Sequence, residues 1–345
     1  MTLRASGRAL FLDTIAGKAT SRRPLWIMRQ AGRYLPEYRA LREQHSFEEL
    51  SGNAELAAAV TLQPLARFPL DAAIIFADLM SPVGAMGIDV RFAPGPVLAH
   101  PIRTAADVDG LRTPARDEIA PQVMTALRTV KRAVGSEQAL LGFAGAPWSL
   151  AAYLVQGRGS PGFPALRAMA FADPGLLNAL LTRVTDVVID YVHAQVDAGA
   201  DAVQFFDTWA GVLSVDMWTR LVKPHLMRLL DATSTMGCPR ILFLQDASHL
   251  VREYGQLPSE ALAVDWREDL AALRASMGDG KALQGNVDPA VLLAGPHATR
   301  EAAQELLRRM PARGHIVNLG HGITPDASIE SVQALIDAVH GECAS

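Results

Sequence analysis

The sequence predicts an α/β protein, a single (β/α)8 TIM barrel whose active-site cleft lies at the C-terminal ends of the strands. Short apolar runs alternate with longer segments of helical period, which indicates parallel strands joined by crossover helices. One run near the N-terminus and seven later ones make eight, the number of strands that closes a barrel. No tandem repeat or linker divides the chain, so residues 1–345 are expected to form one domain with a short N-terminal extension over residues 1–21.

The apolar runs have the length of buried strands. They cover residues 24–28, 71–76, 139–143, 202–206, 241–244, 261–264, 282–283 and 316–319. Segments of helical period are expected to cover the sheet over residues 116–134, 174–199, 214–236, 299–310 and 326–339. Asp173 before Pro174 is a typical helix start, and Gly199 is placed to end that helix. The segment 81–100 contains Pro and Gly and predicts a loop or a small hairpin.

Composition and charge exclude several classes of protein. The chain is 50% hydrophobic with a formal charge of −4, so it has enough apolar residues for a core but no global basic field. We therefore expect no nucleic-acid partner and no anionic-membrane partner. The uncharged stretch 138–157 is long enough to span a bilayer, but its Gly and Pro residues predict a strand, a turn and a helix. The apolar run 9–12 ends at Asp13 and is too short for a signal peptide.

Cysteine usage is low. Cys238 and Cys343 cannot build a disulfide framework or a multi-cysteine zinc site. We expect no metal site and a reduced, cytoplasmic compartment.

Arginine is concentrated near the N-terminus. Residues 22–42 contain one acid, Glu37, and six arginines: Arg22, Arg23, Arg29, Arg33, Arg39 and Arg42. Arginine grips carboxylate or phosphate through two parallel hydrogen bonds, so the cluster indicates a local anion site. Gly32 and Pro36 disfavour one rigid helix, which predicts a loop or short helical turns over the barrel mouth. The alternative is a solvated basic surface, above all for Arg22 and Arg23.

Polar side chains follow the predicted strands, where a barrel of this class carries its chemistry. They are Arg29, Gln30, Arg33, Asp78, Asp207, Thr208, Gln245, Asp246, Ser248, His249, Asp265, Arg267, Asn286, Asp288 and His321. Some of these residues are expected to be polar only because strand ends meet water.

Five ordered blocks carry a family resemblance. Residues 28–37, which include the run RQAGRYLPE, resemble the signature of the uroporphyrinogen decarboxylase family. The similarity continues over residues 62–78 (LQPLARFPLDAAIIFAD), 142–153 (GFAGAPWSLAAY), 283–289 (LQGNVDP) and 318–322 (NLGHG). The resemblance implies a carboxy-lyase of haem biosynthesis that removes CO2 from the four acetate side chains of uroporphyrinogen III to give coproporphyrinogen III. It also implies a barrel, a homodimer, and no metal or organic cofactor.

The resemblance assigns roles residue by residue. It implies substrate binding by Arg29, Arg33, Arg42, Asp78, Tyr153, Thr208 and His321. It places catalysis on Asp78, Arg29, Tyr153 and His321. The family commonly has serine where this chain has Thr208, which keeps the hydroxyl but adds a methyl group. On its own, a tyrosine after such an apolar run more often belongs to the core, and a lone histidine is often structural, so their site roles depend on the family blocks.

The implied chemistry is consistent with these residue types. A polycarboxylate substrate requires cations that keep their charge, and decarboxylation requires an electron sink. The resemblance suggests that a protonated pyrrole ring of the substrate is the sink, while Asp78 accepts pyrrole N–H groups and stabilises the positive charge. Alternatively, Asp78 caps the next helix. The pKa of arginine is poorly matched to proton transfer, so Arg29 is assigned to anion binding, and an acid role for it stays open.

Two other functions are compatible with the barrel. A corrinoid-related methyltransferase of the same fold would need zinc held by cysteine and histidine, but neither Cys238 nor Cys343 is expected at the mouth. A non-catalytic binder of tetrapyrroles or other polyanions would share the arginines and would not need Asp78. The glycine pattern at residues 157–162 follows a predicted helix and contains Pro161, so it does not predict a dinucleotide site.

Overall fold

The structure is a computed structural model that describes residues 5–93 and 95–341. Its strands are β1 (Ala72–Ile74), β2 (Val90–Phe92), β3 (Pro96–Leu98), β4 (Ala139–Gly145), β5 (Ala202–Asp207), β6 (Arg240–Leu244), β7 (Ala261–Val264), β8 (Ala282–Gln284) and β9 (His315–Ile316). In the part of the chain described, β1 and β4–β9 form one parallel sheet in sequence order, and β2 and β3 form an antiparallel hairpin. Each sheet strand therefore pairs with the next along the chain, and the sheet curls in one direction.

Helices connect the strands and cover the sheet. They are α1 (Gly7–Ile15), α2 (Pro36–Gln44), α3 (Phe47–Gly52), α4 (Ala54–Arg67), α5 (Ala105–Asp109), α6 (Pro121–Val134), α7 (Pro147–Gln156), α8 (Pro164–Ala172), α9 (Pro174–Asp197), α10 (Val215–Leu221), α11 (Lys223–Ala232), α12 (Val251–Gly255), α13 (Leu270–Met277), α14 (Pro296–Arg309) and α15 (Ile329–His340). The predicted start of α9 is confirmed, because the Asp173 side chain accepts a hydrogen bond from the amide of Leu176 at 2.9 Å.

The segment 24–28 lies between the two edge strands, β9 and β1. Leu25 forms an isolated parallel bridge with Val317, and its carbonyl accepts a hydrogen bond from the Asp71 amide at 2.9 Å. The structure thus confirms a curled parallel α/β sheet, but this segment makes only a bridge and is not a regular eighth strand. Pro24 supplies no N–H to a ladder, and a turn follows at residues 28–29, which together limit regular pairing.

Polar side chains cross the interior of the curled sheet. Trp26 Nε1 donates to Gln284 Oε1 at 3.0 Å, and Gln284 Nε2 donates to Gln204 Oε1 at 2.9 Å. All three residues are buried. The chain of bonds connects the N-terminal segment to β8 and β5, so the inside of the curl is a packed core.

Other predicted elements differ in extent. The hairpin within residues 81–100 is confirmed, and residues 138–157 form a strand and a helix as expected. In the described ranges, no helix is long and apolar enough to cross a membrane. The predicted helix over 214–236 is two helices, α10 and α11, because Pro224 cannot continue the hydrogen bonding of the first.

Candidate active site

Arg29 follows the segment 24–28 in a tight turn. Its backbone has a φ of 62°, a left-handed conformation that costs a non-glycine residue roughly 1 kcal/mol. Gln30 holds the turn, because its Oε1 accepts from the Ile27 amide and its Nε2 donates to the Ala72 carbonyl, each at 3.0 Å. The Arg29 side chain keeps solvent-exposed surface, yet desolvation by the surrounding protein lowers its pKa.

Asp78 lies four residues beyond β1 and is half-buried. Its Oδ1 accepts a hydrogen bond from the Met80 amide at 2.7 Å. Burial raises the pKa of Asp78 to about 6, while the amides of Met80 and Leu79 and the charge of Arg29 oppose that rise. The alternative role as a helix cap is wrong, because the next helical turn, at Val83–Met86, has Pro82 as its N-cap.

Tyr153 lies on α7, where the charges of both Asp78 and Arg29 act on the pKa of its hydroxyl. Burial raises its pKa and the Asp78 carboxylate adds to the rise, whereas the nearby Trp209 side chain and the charge of Arg29 oppose it. The Tyr153 ring centroid lies 5.8 Å from that of Phe163 and 6.2 Å from that of Trp209. The structure therefore brings the tyrosine, the carboxylate and the arginine together.

His321 completes this group from the turn after β9. Burial, chiefly, and the charges of Arg29 and Arg267 lower the pKa of its imidazole to about 4, while the charge of Asp265 opposes them. The ring is therefore neutral near pH 7, with one donor and one acceptor nitrogen. Its centroid lies 6.1 Å from the ring of Phe243 on β6.

The other two predicted anion-binding arginines are placed differently. Arg33 is exposed, and its charge lowers the pKa of Arg29, so it lies close to the central group. Arg42 is also exposed, but its described contacts involve Tyr38 and the carbonyl of His45, and none joins it to Asp78. Arg33 therefore lies near Arg29, whereas no described contact joins Arg42 to Arg29 or Asp78.

The remaining arginines of residues 22–42 have structural partners. Arg22 pairs with Asp71 through two hydrogen bonds of 2.6 Å, and Asp71 also accepts from the Leu25 amide. Arg23 is buried and donates to the carbonyl of Leu307 at 3.0 Å. Arg39 Nη1 donates to the carbonyls of Arg33 and Tyr34, each at 3.0 Å. These three have structural partners and lie outside the central group. The solvated basic surface offered as the alternative for Arg22 and Arg23 is wrong, because Arg23 is buried and the Arg22 side chain pairs with buried Asp71.

Thr208 lies directly after β5 and is part-buried. The residue after it, Trp209, packs on Tyr153 and lies 4.8 Å from the Phe163 ring. Sequence reasoning missed Trp209 as a site residue, although an aromatic residue in the turn after a barrel strand was a signal available in the sequence. Thr208 is therefore carried on a turn that contacts the helix of Tyr153.

Arg267 is a further cation near His321. Its Nη1 lies 3.0 Å from Asp265 Oδ2, and its guanidinium lies 4.3 Å from the ring centroid of Trp266. A close approach fixes the neighbouring turn, because a Cβ on Gly320 would lie 2.3 Å from the Trp266 amide nitrogen. These contacts hold the turns after β7 and β9 against each other.

Metal-binding side chains do not cluster in the part of the chain described. No group of three His, Cys, Asp or Glu residues there could hold an ion. Cys238 precedes β6, as expected, and burial raises the pKa of its thiol to about 11. Cys343 lies outside the described residues.

The arrangement joins permanent positive charge to one half-buried acid and two neutral hydrogen-bonding groups. Such a site can bind an anion at Arg29 and accept N–H donors at Asp78. Among the described residues, no ion pair within 4.0 Å joins Arg29 to Asp78, so both groups remain available to a ligand.

Known proteins resemble the chain along most of its length. The family model described as uroporphyrinogen decarboxylase (URO-D) matches residues 6–342. A uroporphyrinogen decarboxylase from Geobacter sulfurreducens is 40% identical over 331 residues, which cover 96% of this chain and 97% of that protein. One from Coxiella burnetii is 41% identical over 337 residues, which cover 95% of this chain and 93% of that protein.

Solved structures share the fold. A methyltransferase from Methanosarcina mazei superimposes with a TM-score of 0.83 at 21% identity, covering 98% of this chain and 99% of that one. A B12-independent methionine synthase from Shewanella gives a TM-score of 0.59 at 12% identity, covering 93% and 94%. At these identities the similarity concerns architecture alone. The family match spans nearly the whole sequence and agrees with relatives at about two-fifths identity, and on that ground the chain belongs to the uroporphyrinogen decarboxylase family.

Proposed function

We propose that this chain removes CO2 from the four acetate side chains of uroporphyrinogen III and yields coproporphyrinogen III, with no metal or organic cofactor. The observation that carries the proposal is that the charge of Arg29 acts on Asp78, Tyr153 and His321, and that these residues come from four separate blocks of the sequence. The names of the relatives give the substrate, and the group supplies the charges that this substrate needs.

The arginines bind the carboxylates of the substrate. Arg29 and Arg33 hold the acetate side chains near the reacting ring, and Arg42 contacts the periphery of the tetrapyrrole. Burial lowers the pKa of Arg29, but a guanidinium is not deprotonated in proteins, so Arg29 binds as a cation. Tyr153, Thr208 and His321 orient the substrate by hydrogen bonds, with the imidazole neutral.

Asp78 stabilises the positive charge that appears on the substrate. Protonation of a pyrrole ring carbon makes an iminium-like cation, and the electrons of the breaking C–C bond flow into it as CO2 leaves. The exocyclic carbon then takes up a proton and becomes a methyl group, and the ring carbon releases the proton it gained, which restores the aromatic pyrrole. Ionised Asp78 accepts the pyrrole N–H groups throughout, so its contribution grows as the ring becomes cationic.

The proposal includes the architecture and setting of the enzyme. Closure into an eight-stranded barrel is supported by the bridge between Leu25 and Val317 and by the chain of side-chain bonds from Trp26 through Gln284 to Gln204. We place the whole chain in one domain, with residues 1–21 as an extension. Pairing as a homodimer follows from the family, and a cytoplasmic location is supported by the two-cysteine composition.

Anaerobic turnover of uroporphyrinogen tests the function. Wild type is expected to release CO2. Asp78→Asn is expected to bind substrate but to have a kcat at least about a hundredfold lower, which is the effect of losing one pre-organised electrostatic group. Binding without CO2 release by wild type would favour a non-catalytic tetrapyrrole binder.

The cofactor is tested on the same preparation. Chelator-treated, dialysed protein should keep its activity, because the substrate supplies the electron sink. Activity that returned only with added zinc or pyridoxal phosphate would contradict the proposal. The methyltransferase alternative has the shared fold in its favour, but among the described residues no group of three His, Cys, Asp or Glu side chains could hold its zinc.

A further inference from the structure

Asp207 is a buried carboxyl directly before the candidate site residue Thr208, and the proposed chemistry leaves it without a role. It ends β5 directly before Thr208, and its side chain is fully buried. A buried carboxylate is costly unless its oxygens accept hydrogen bonds. Its partners therefore indicate what it does.

Both oxygens of Asp207 accept from hydroxyl groups. Oδ1 accepts from Ser149 Oγ on α7 at 2.7 Å, and Oδ2 accepts from the Tyr254 hydroxyl on α12. Burial raises the pKa of Asp207 to about 6, and the two hydroxyl bonds limit the rise. Because α7 follows β4 and α12 follows β6, one carboxylate connects the segments after three consecutive sheet strands.

Groups that only donate fix the direction of both bonds. Trp218 Nε1 donates to the Tyr254 oxygen at 3.0 Å, and the Trp209 amide donates to Ser149 Oγ at 3.1 Å. Since indole and amide N–H groups cannot accept, neither hydroxyl can donate to its nitrogen partner, and each is left to donate its hydrogen to the ionised Asp207 carboxylate. The pattern is complete when the carboxyl is ionised.

Ser149 connects Asp207 to the turn that carries Thr208. Trp209 is held at its amide by Ser149 and at its carbonyl by Trp148 Nε1, 3.0 Å away. Its ring lies against that of Tyr153, which is one helical turn beyond Ser149 on α7. Ser149 thus connects the turn of residues 208–209 to α7, the helix that carries Tyr153.

We propose that Asp207 is a positioning residue for the decarboxylation: through Ser149 it holds the turn of residues 208–209 against α7, so that Thr208 and Tyr153 contact the same substrate. The inference rests on the proposed function, because it concerns how that site is assembled. Tyr254 donates to the other carboxylate oxygen of Asp207 and accepts from Trp218 Nε1, and neither bond involves the turn of residues 208–209. Tyr254 therefore provides a matched comparison.

Ser149→Ala and Tyr254→Phe each remove one hydroxyl bond to the same buried carboxylate. Similar decreases in Tm are expected for both variants. Ser149→Ala should lower kcat for uroporphyrinogen about tenfold or more, because it releases the turn, while Tyr254→Phe should lower it by about threefold or less. Ser149→Ala should add little to the loss of kcat already caused by Asp207→Asn, because both variants alter the same connection between Asp207 and Ser149. Equal losses of kcat in Ser149→Ala and Tyr254→Phe would overturn the inference.

A spectroscopic readout separates positioning from turnover. The chain has five tryptophans, and 5-fluorotryptophan labelling should give one 19F resonance for each, with Trp209 assigned from Trp209→Phe. Ser149→Ala should move the Trp209 resonance, and Tyr254→Phe should move that of Trp218 instead. An unchanged Trp209 resonance in Ser149→Ala would refute the inference even in an active enzyme. Absence of wild-type turnover would refute the proposed function. The 19F spectra would still show whether Ser149 positions the turn that carries Trp209.

Discussion

Gly322 leaves the space that the Arg29 side chain occupies. A Cβ built on Gly322 would lie 2.3 Å from Arg29 Cδ, 2.7 Å from Cγ and 2.9 Å from Nε. The same arginine is held in a left-handed turn whose next residue, Gln30, is buried and bonded to the backbone at both ends of its amide. The position of the Arg29 guanidinium therefore depends on the absence of a side chain at Gly322 and on the left-handed turn at Arg29.

Gly322→Ala should displace Arg29 and weaken substrate capture. Because the methyl group would overlap the middle of the side chain, the guanidinium has to move, and we expect KM for uroporphyrinogen to rise about tenfold, the effect of losing one charge-assisted contact. Stability should change by less than about 1 kcal/mol, since the side chain can relocate into the cleft. Steady-state kinetics and thermal unfolding measure both effects.

Gly84→Ala is the control, because a Cβ on Gly84 meets nothing within 4 Å. It should leave KM unchanged. A normal KM in Gly322→Ala would show that Arg29 does not bind substrate from its present position.

The sequence predicts the strands and most helices because their signals are local. Asp173 before Pro174 is such a signal, and α9 begins there. Pairing across long separations is not local: Arg22 and Arg29 look alike in the sequence, yet Arg22 pairs with Asp71, 49 residues away. Nor does the sequence reveal the left-handed turn at Arg29 or the burial that keeps His321 neutral, because both depend on segments packed around them. The family blocks supplied what local pattern could not.

Asp78→Asn should stabilise the folded chain while it removes activity. The folded pKa of about 6 exceeds the usual 3.8, so the wild type loses stability as the pH rises from about 4 to 6 and the half-buried carboxyl becomes charged. Asparagine does not titrate, and its side-chain oxygen can still accept from Met80. The variant should be roughly 1–2 kcal/mol more stable than wild type at pH 8 and no more stable at pH 4. Urea unfolding at the two pH values tests this, and a constant difference would contradict the burial of a charged Asp78.

The pH profile of kcat/KM should fall on the acid side near pH 6. Asp78 must be ionised to accept N–H groups, and Asp207 must be ionised for its two hydroxyl bonds; burial raises the pKa of each to about 6. Two protonations in one range should make the acid limb steeper than a slope of one. His321→Gln is the control, because an imidazole pKa of about 4 places its titration below this range. The limb should persist in that variant at a lower rate, and its disappearance would assign the titration to the histidine instead.

Arg33→Ala and Arg42→Ala should differ, although the family resemblance gives both residues the same role. Arg33 acts on Arg29, whereas the described contacts of Arg42 are with Tyr38 and His45. We expect Arg33→Ala to raise KM about tenfold and Arg42→Ala to raise it about threefold or less, because an exposed cation at the edge of the site gains little from a distant carboxylate. Both increases should shrink between 0.05 and about 0.5 M salt, since screening weakens the same attraction in wild type. A larger effect from Arg42→Ala would mean that the substrate extends along α2, and that the anion site is centred nearer Tyr38 than Arg29.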